Sequence, residues 1–164
     1  MADQNDPALD SLFRDLKAAQ SPQLVRQIES RIWGLWFETG SEKMDRMLQA
    51  GDIALSTGQY NRSYAILNGV IELRPDLSEG WNRRATLRYV MGDYEGSIAD
   101  IAETLKREPR HFGALSGLGL CHLKLGNEEE ALVAFERALV HNPHMSGVKR
   151  NVERLRILLN RQAI

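Results

Sequence analysis

The sequence predicts an all-α, right-handed solenoid of three helical hairpins, flanked by an N-terminal helical hairpin and a C-terminal helix. Prolines recur with a spacing of 34 residues, at Pro75, Pro109 and Pro143. Glycines recur with the same spacing, at Gly58, Gly92 and Gly126. A fixed period of this kind indicates stacked copies of one supersecondary unit, none of which buries its apolar face alone.

Each class of repeated residue has a physical role in a helix–turn–helix unit. Glycine adopts the left-handed conformation that ends the first helix, and proline stops the second helix. Small residues recur where the two helices of a hairpin cross closely: Gly51, Ala85 and Gly119, and again Ser63, Ser97 and Ala131. Larger apolar residues recur at positions that are predicted to fill the space between hairpins: Met47, Trp81 and Leu115, and again Leu67, Ile101 and Phe135.

This pattern resembles the tetratricopeptide repeat, a helical hairpin of about 34 residues. The third copy matches best and reads Leu115-x-x-Leu118-Gly119-x-x-His122, then Ala131-x-x-x-Phe135, then Ala138 and Pro143. The resemblance covers three repeats, over residues 44–77, 78–111 and 112–145. It implies a non-enzymatic scaffold that binds a peptide segment or a partner protein in a concave groove.

Residues 1–43 are predicted to form an N-terminal helical hairpin that does not fit the repeat pattern. Asp6-Pro7 and Ser21-Pro22 each combine an N-cap residue with a proline in the first helical turn. We expect this hairpin to act as a cap that packs on the first repeat. Its second helix carries three aromatic residues, Trp33, Trp36 and Phe37. Because aromatic residues are enriched at interfaces, a homodimer or partner contact is the alternative role for them. The alternative function of the protein is accordingly self-association, through this aromatic hairpin or through the C-terminal helix.

The remaining helices follow from the repeat period. We predict helices over residues 43–57, 60–73, 77–91, 94–107, 111–125 and 128–141. Residues 146–164 are predicted to form an amphipathic capping helix, because apolar residues keep helical spacing from Val148 through Val152 to Leu155. One face of this helix should pack on the third repeat and the other should face water.

Composition and charge exclude several classes of function. The formal net charge is −1, which provides no general attraction to nucleic acid or to an anionic membrane. No apolar run approaches the roughly 18–20 residues of a membrane-spanning helix. The first residues are acidic and polar, unlike a signal peptide. The N-terminal half, from Leu12-Phe13 through Trp33-Gly34-Leu35-Trp36, together with the segment 113–119, resembles short bacterial tetratricopeptide proteins, many of which are exported to the periplasm. The chain as it stands is expected to be soluble and cytoplasmic, or periplasmic if a signal peptide was removed.

No pattern in the sequence indicates an enzyme or a cofactor site. A glycine-rich phosphate loop, a paired-cysteine metal site and a nucleophile elbow are all absent from the sequence. The single cysteine, Cys121, is predicted to be a buried packing residue. His111, His141 and His144 could bind a metal together with an acid, but capping or exposed positions are the favoured interpretation.

The resemblance also implies which residues line the groove, since the first helix of each hairpin faces it in this family. The predicted groove residues are Leu48, Gln49, Asp52 and Leu55, then Asn82, Arg83, Thr86 and Tyr89, then Ser116, Gly117, Leu120 and Lys124. Asn82 and Arg83 are predicted to hydrogen-bond a peptide backbone or a carboxylate. Chaperone-docking members of the family use Lys, Asn and Arg to bind a terminal carboxylate. Leu48, Asp52, Gly113 and Gly117 stand at those positions here, so docking of a chaperone C-terminus is not expected.

A buried ion pair is predicted within the second repeat. Arg84 lies on the inner face of its helix, where the third repeat has Leu118. Asp100 follows 16 residues later on the partner helix. A buried arginine without an acidic partner would be costly, so we expect Arg84 and Asp100 to pair.

Overall fold

The computed structural model describes residues 4–162, which form nine α-helices and no β-strand. The helices are α1 (Ala8–Ala18), α2 (Pro22–Phe37), α3 (Glu42–Ser56), α4 (Tyr60–Leu73), α5 (Ser78–Met91), α6 (Tyr94–Arg107), α7 (Phe112–Leu125), α8 (Glu128–His141) and α9 (Ser146–Gln162). The predicted all-α solenoid is confirmed, and each of the six repeat helices begins and ends within one residue of its predicted bounds.

The helix ends follow from local chemistry. Gly92 and Gly126 end α5 and α7 with φ angles of +82° and +77°, in the left-handed region that a residue with a Cβ atom avoids. The Ser21 side chain accepts a hydrogen bond from the Leu24 amide and caps α2. The three repeat prolines lie in the turns that lead into α5, α7 and α9.

Close crossing of the two helices in each hairpin depends on small residues. A Cβ atom on Gly119 would lie 2.5 Å from the Phe135 ring of α8, so only glycine fits there without a rearrangement. The Ser97 hydroxyl donates to the Ala85 carbonyl oxygen at 2.8 Å, and Ser63 makes the same bond one repeat earlier. These bonds join the helices of a hairpin at equivalent positions.

The stacking of hairpins is visible at one position of the repeat. Leu87, Cys121 and Leu155 follow one another at the 34-residue period, and each is at most 1% exposed because the preceding hairpin covers it. Ile53 occupies the same position in α3 but is 56% exposed. The N-terminal edge of the solenoid is therefore uncovered at Ile53.

The N-terminal hairpin packs elsewhere, so the expectation that it covers the first repeat is wrong. The α1–α2 core continues into Phe112 at the start of α7 and into Met145 before α9. His144 Nε2 donates to the Leu16 carbonyl oxygen at 2.8 Å, and Arg110 pairs with Asp10 at 2.6 Å. The hairpin folds back onto the turns before α7 and α9 because its aromatic residues find apolar partners there.

The C-terminal capping helix is confirmed over residues 146–162, and the last two residues of the predicted range, 163–164, lie outside the described residues. Val148, Val152 and Leu155 of α9 are buried against the third repeat, in one cluster with Phe135 and Ala138. The opposite face of α9 is exposed.

Candidate binding groove

Helices α5, α6 and α7 surround a pocket of about 230 Å³ on the groove side of the repeats. Half of the predicted groove residues line it: Asn82, Thr86, Tyr89, Ser116, Gly117 and Leu120. The pocket extends below them to Ala85, Ser97, Ile101, Gly113 and Ala114. The 34-residue period creates this arrangement, because it places equivalent faces of α5 and α7 side by side.

The pocket combines an apolar floor with a polar rim. Glycine at position 117 leaves the floor open, since a Cβ atom there would meet only Ile101 Cδ1, at 3.6 Å. The hydroxyl groups of Tyr89 and Ser116 have no hydrogen-bond partner among the described residues. These features suit a peptide that places an apolar side chain in the pocket and forms backbone hydrogen bonds with the rim.

Asn82 and Arg83, which are predicted to contact a ligand, are both hydrogen-bonded within the protein. Asn82 donates to Glu79 at 3.2 Å, and Arg83 Nε donates to Glu79 at 3.3 Å. Arg83 also pairs with Asp52 and lies over the Phe37 ring, 4.7 Å from its centroid. A buried carboxylate needs these donors, so they support Glu79 before any ligand arrives.

Glu79 and His111 form a fully buried pair beside the pocket. His111 Nδ1 accepts from the Ala114 amide at 3.0 Å, so Nε2 carries the proton and donates to Glu79 at 2.8 Å. Burial raises the pKa of Glu79, but the hydrogen bond from His111, the charge of Arg83 and the hydrogen bond from Asn82 outweigh it and hold the pKa below its ordinary value. Glu79 therefore links the starts of α5 and α7.

The N-terminal hairpin fixes this pair from the other side. Trp36 is completely buried and stacks on the His111 ring, with centroids 4.1 Å apart. Trp33 packs on Phe112. A Cβ atom on Gly113 would lie 2.6 Å from the indole ring of Trp33. The aromatic cluster predicted as either a cap or a dimer or partner contact thus makes intramolecular contacts, and of its three residues only Phe37 is exposed, by 42%.

The other predicted groove residues lie outside the pocket. Leu48 is 1% exposed and belongs to the core with Leu67 and Leu87, so its placement on the groove surface is wrong. Its position in α3 is apolar and is enclosed by the neighbouring helices. Gln49, Asp52 and Lys124 are exposed and Leu55 is half-buried.

Arg84 and Asp100 form a two-point ion pair. Arg84 Nε and Nη2 donate to the two carboxylate oxygens at 2.8 and 2.7 Å. The third donor, Nη1, reaches Asn68 at 2.6 Å. Arg88 Nε lies 3.4 Å from the same carboxylate. With Asn68, this pair connects α4, α5 and α6, and neither Arg84 nor Asp100 is among the residues that line the pocket.

The cysteine is buried, and the histidines do not gather with other ligands into a metal site within the described residues. Cys121 is buried beside Ser97, and burial raises the pKa of its thiol. Within residues 4–162, no group of three or more His, Cys, Asp or Glu side chains could hold a metal ion. In the same range, no helix has the length and apolar character needed to cross a membrane.

Comparison with known proteins agrees with this architecture. Two family models described as tetratricopeptide repeat match residues 45–77 and 82–144, together more than half of the chain. A TPR repeat-containing protein of Rhizobium etli is 40% identical over 131 residues, which span 80% of this chain and 64% of that protein. Superkiller complex protein 3 of Mus musculus is 28% identical over 145 residues, 9% of its length.

Solved structures show the same fold at low sequence identity. The Sgt2 TPR domain from Aspergillus fumigatus has a TM-score of 0.69 at 18% identity, over 75% of this chain and 83% of that chain. The first TPR of Spaghetti (RPAP3), bound to an HSP90 peptide, has a TM-score of 0.69 at 18% identity, over 73% of this chain and 95% of that one. The chain belongs to the tetratricopeptide repeat family.

Proposed function

We propose that this protein is a non-enzymatic interaction scaffold that binds a peptide segment of a partner protein in its groove. The observation that carries the proposal is the pocket between α5 and α7, which has room for one large apolar side chain of the peptide. The free hydroxyl groups of Tyr89 and Ser116 at its rim would bond the peptide backbone.

The rigidity of the pocket supports the proposal. The Glu79–His111 pair and the Arg84–Asp100 pair hold the helices around the pocket through buried hydrogen bonds. A preformed site loses little conformational entropy when a ligand binds. Two neighbours of the same fold, the RPAP3 domain and the Yersinia enterocolitica chaperone SycD, are known in complex with peptides, which is consistent with a groove of this kind.

A peptide selection followed by a pocket-filling variant tests the proposal. Peptides of about 12 residues, enough to cross the groove in extended form, are displayed on phage and selected on the wild-type protein. Gly117→Leu fills the pocket, whereas Ala102→Leu adds bulk to the exposed face of α6 as a control. Fluorescence polarisation should show a loss of at least about tenfold in affinity for the first variant only. Equal binding by both variants would contradict the groove assignment.

A further inference from the structure

We infer that α9 extends the groove that α3, α5 and α7 form. We also infer that the bound peptide carries acidic residues where it passes α9. The inference rests on the proposed function and names the chemistry of its ligand. The peptide would carry a large apolar residue for the pocket and one or two carboxylates that meet Arg150 and Arg154.

The repeat register continues through α9, although the repeat pattern ends at Pro143. Helix α9 begins at Ser146, 34 residues after the start of α7 and 68 after the start of α5. Its buried residues Val148 and Leu155 correspond to the buried Ala114 and Cys121 of α7. Helix α9 therefore packs on the third repeat with the rotation that α7 has on the second.

This rotation identifies the side chains that α9 directs toward the groove. Moving back 68 residues, Arg150 corresponds to Asn82, Arg154 to Thr86 and Ile157 to Tyr89, and those three α5 residues all line the pocket. The three α9 residues are exposed, Ile157 by 56%. The surface formed by Arg150, Arg154 and Ile157 is called the α9 stripe below.

Charge distinguishes the α9 stripe from the rest of the groove. Residues 146–162 contain five basic side chains and one acidic side chain. Among the described ion pairs of α9, Arg156 pairs with Glu136, while Arg150 and Arg154 face no carboxylate in the described part of the chain. Arg154 contacts the Asn151 side-chain oxygen at 3.3 Å. At the α3 end of the groove, by contrast, Arg83 is already paired with Asp52.

Geometry sets the spacing between the anchor and the acid in the peptide. Packed helices lie about 8–10 Å apart, and an extended chain advances about 3.3 Å per residue. A carboxylate on the α9 stripe would therefore be about three or more residues from the side chain in the pocket. Arginine binds carboxylates with paired hydrogen bonds, which favours Asp and Glu over neutral residues.

The position of the stripe favours a peptide over a membrane or a nucleic acid. Arg150 and Arg154 are in register with pocket-lining residues of the groove, so a single extended chain can reach both. The chain as a whole has a net charge of −1, so no large basic surface accompanies the stripe.

Reversing charges on the peptide and on the protein by substitution tests the inference. A peptide selected on the wild type is made in three forms, with Glu, Ser or Lys on either side of the apolar anchor at the required spacing. The Glu form should bind wild type about threefold to tenfold more tightly than the Ser form at low salt, and less so at high salt. Arg150→Glu combined with Arg154→Glu should reverse the preference and favour the Lys form.

Two controls separate this inference from the proposed function. Lys149→Glu with Arg156→Glu makes the same change in charge on the side of α9 near α8 and should leave the preference intact. If wild type binds the Glu, Ser and Lys forms equally and Gly117→Leu binds none of them, the inference is overturned while the proposed function stands. Failure to select any peptide would overturn both. The inference would also be overturned if the protein bound phosphatidylserine vesicles or RNA and the Glu peptide failed to displace them.

Discussion

Gly117 and Gly119 lie two residues apart in α7, but a methyl group at each would meet different surroundings. At position 117 it would contact Ile101 at an ordinary van der Waals distance, on the open floor of the pocket. At position 119 it would overlap the Phe135 ring. The sequence predicts the second requirement, because small residues recur at that position in every repeat. It does not reveal that Gly117 leaves a cavity, since this depends on how Ile101 packs beneath it.

Replacing each glycine by alanine separates the two roles. Alanine favours a helix by up to about 1 kcal/mol over glycine, so Gly117→Ala should leave the protein equally stable or stabilise it slightly. Gly119→Ala should destabilise it by about 1–3 kcal/mol through overpacking, despite the same helical gain. Urea unfolding of the two variants measures the difference, and equal effects would contradict the assigned contacts.

The Arg84–Asp100 pair makes an asymmetric prediction. Asp100→Ala would leave both Arg84 and Arg88 without their buried carboxylate, at a cost of about 3–5 kcal/mol. Arg84→Leu should cost less, because Arg88 still lies 3.4 Å from Asp100 and the third repeat has leucine at the same position. Thermal or urea unfolding ranks the two variants, and the opposite order would contradict a shared role for the two arginines.

At the scale of elements, the repeat helices were predictable and the docking of the N-terminal hairpin was not. Glycine and proline at a fixed period determine where α3 to α8 begin and end, because both act through local backbone chemistry. The contacts of Trp36 with His111, and of Leu16 with His144, join residues about 75 and 128 positions apart. No local pattern encodes such pairs. The sequence did indicate a capping role for His111, since a histidine just before α7 can cap that helix.

The buried Glu79–His111 pair predicts how stability depends on pH. The pKa of Glu79 is lower in the folded state than its ordinary value of 4.5. The unfolded chain therefore takes up this proton first as the pH falls, and the stabilisation is complete above about pH 4.5 and is lost below it. Urea unfolding from about pH 7 to about pH 3 should show a steeper loss for wild type than for Glu79→Gln.

The same variant should be less stable than wild type near neutral pH, because Arg83 loses its buried carboxylate partner. Parallel pH profiles for the two proteins would show that Glu79 has no lowered pKa in the folded state.

At the scale of the whole molecule, the uncovered edge of the solenoid distinguishes equivalent positions. Ile53 and Leu87 occupy the same place in successive repeats, but only Leu87 has a hairpin packed over it. Ile53→Ala should change the free energy of unfolding by no more than about 0.5 kcal/mol, whereas Leu87→Ala should cost about 2–5 kcal/mol. A large effect of Ile53→Ala would mean that the N-terminal hairpin covers the first repeat after all.

The central claim is that a peptide lies in the groove between α5 and α7, and thiol protection measures this occupancy. Cys121 is the only cysteine and is buried, so Ser116→Cys introduces one reactive thiol at the pocket rim. A selected peptide at about ten times its Kd should slow maleimide labelling there by about tenfold. Labelling of Ala102→Cys on the exposed face of α6 should not change. Unchanged labelling of Ser116→Cys by a protein that is saturated with peptide would contradict the account.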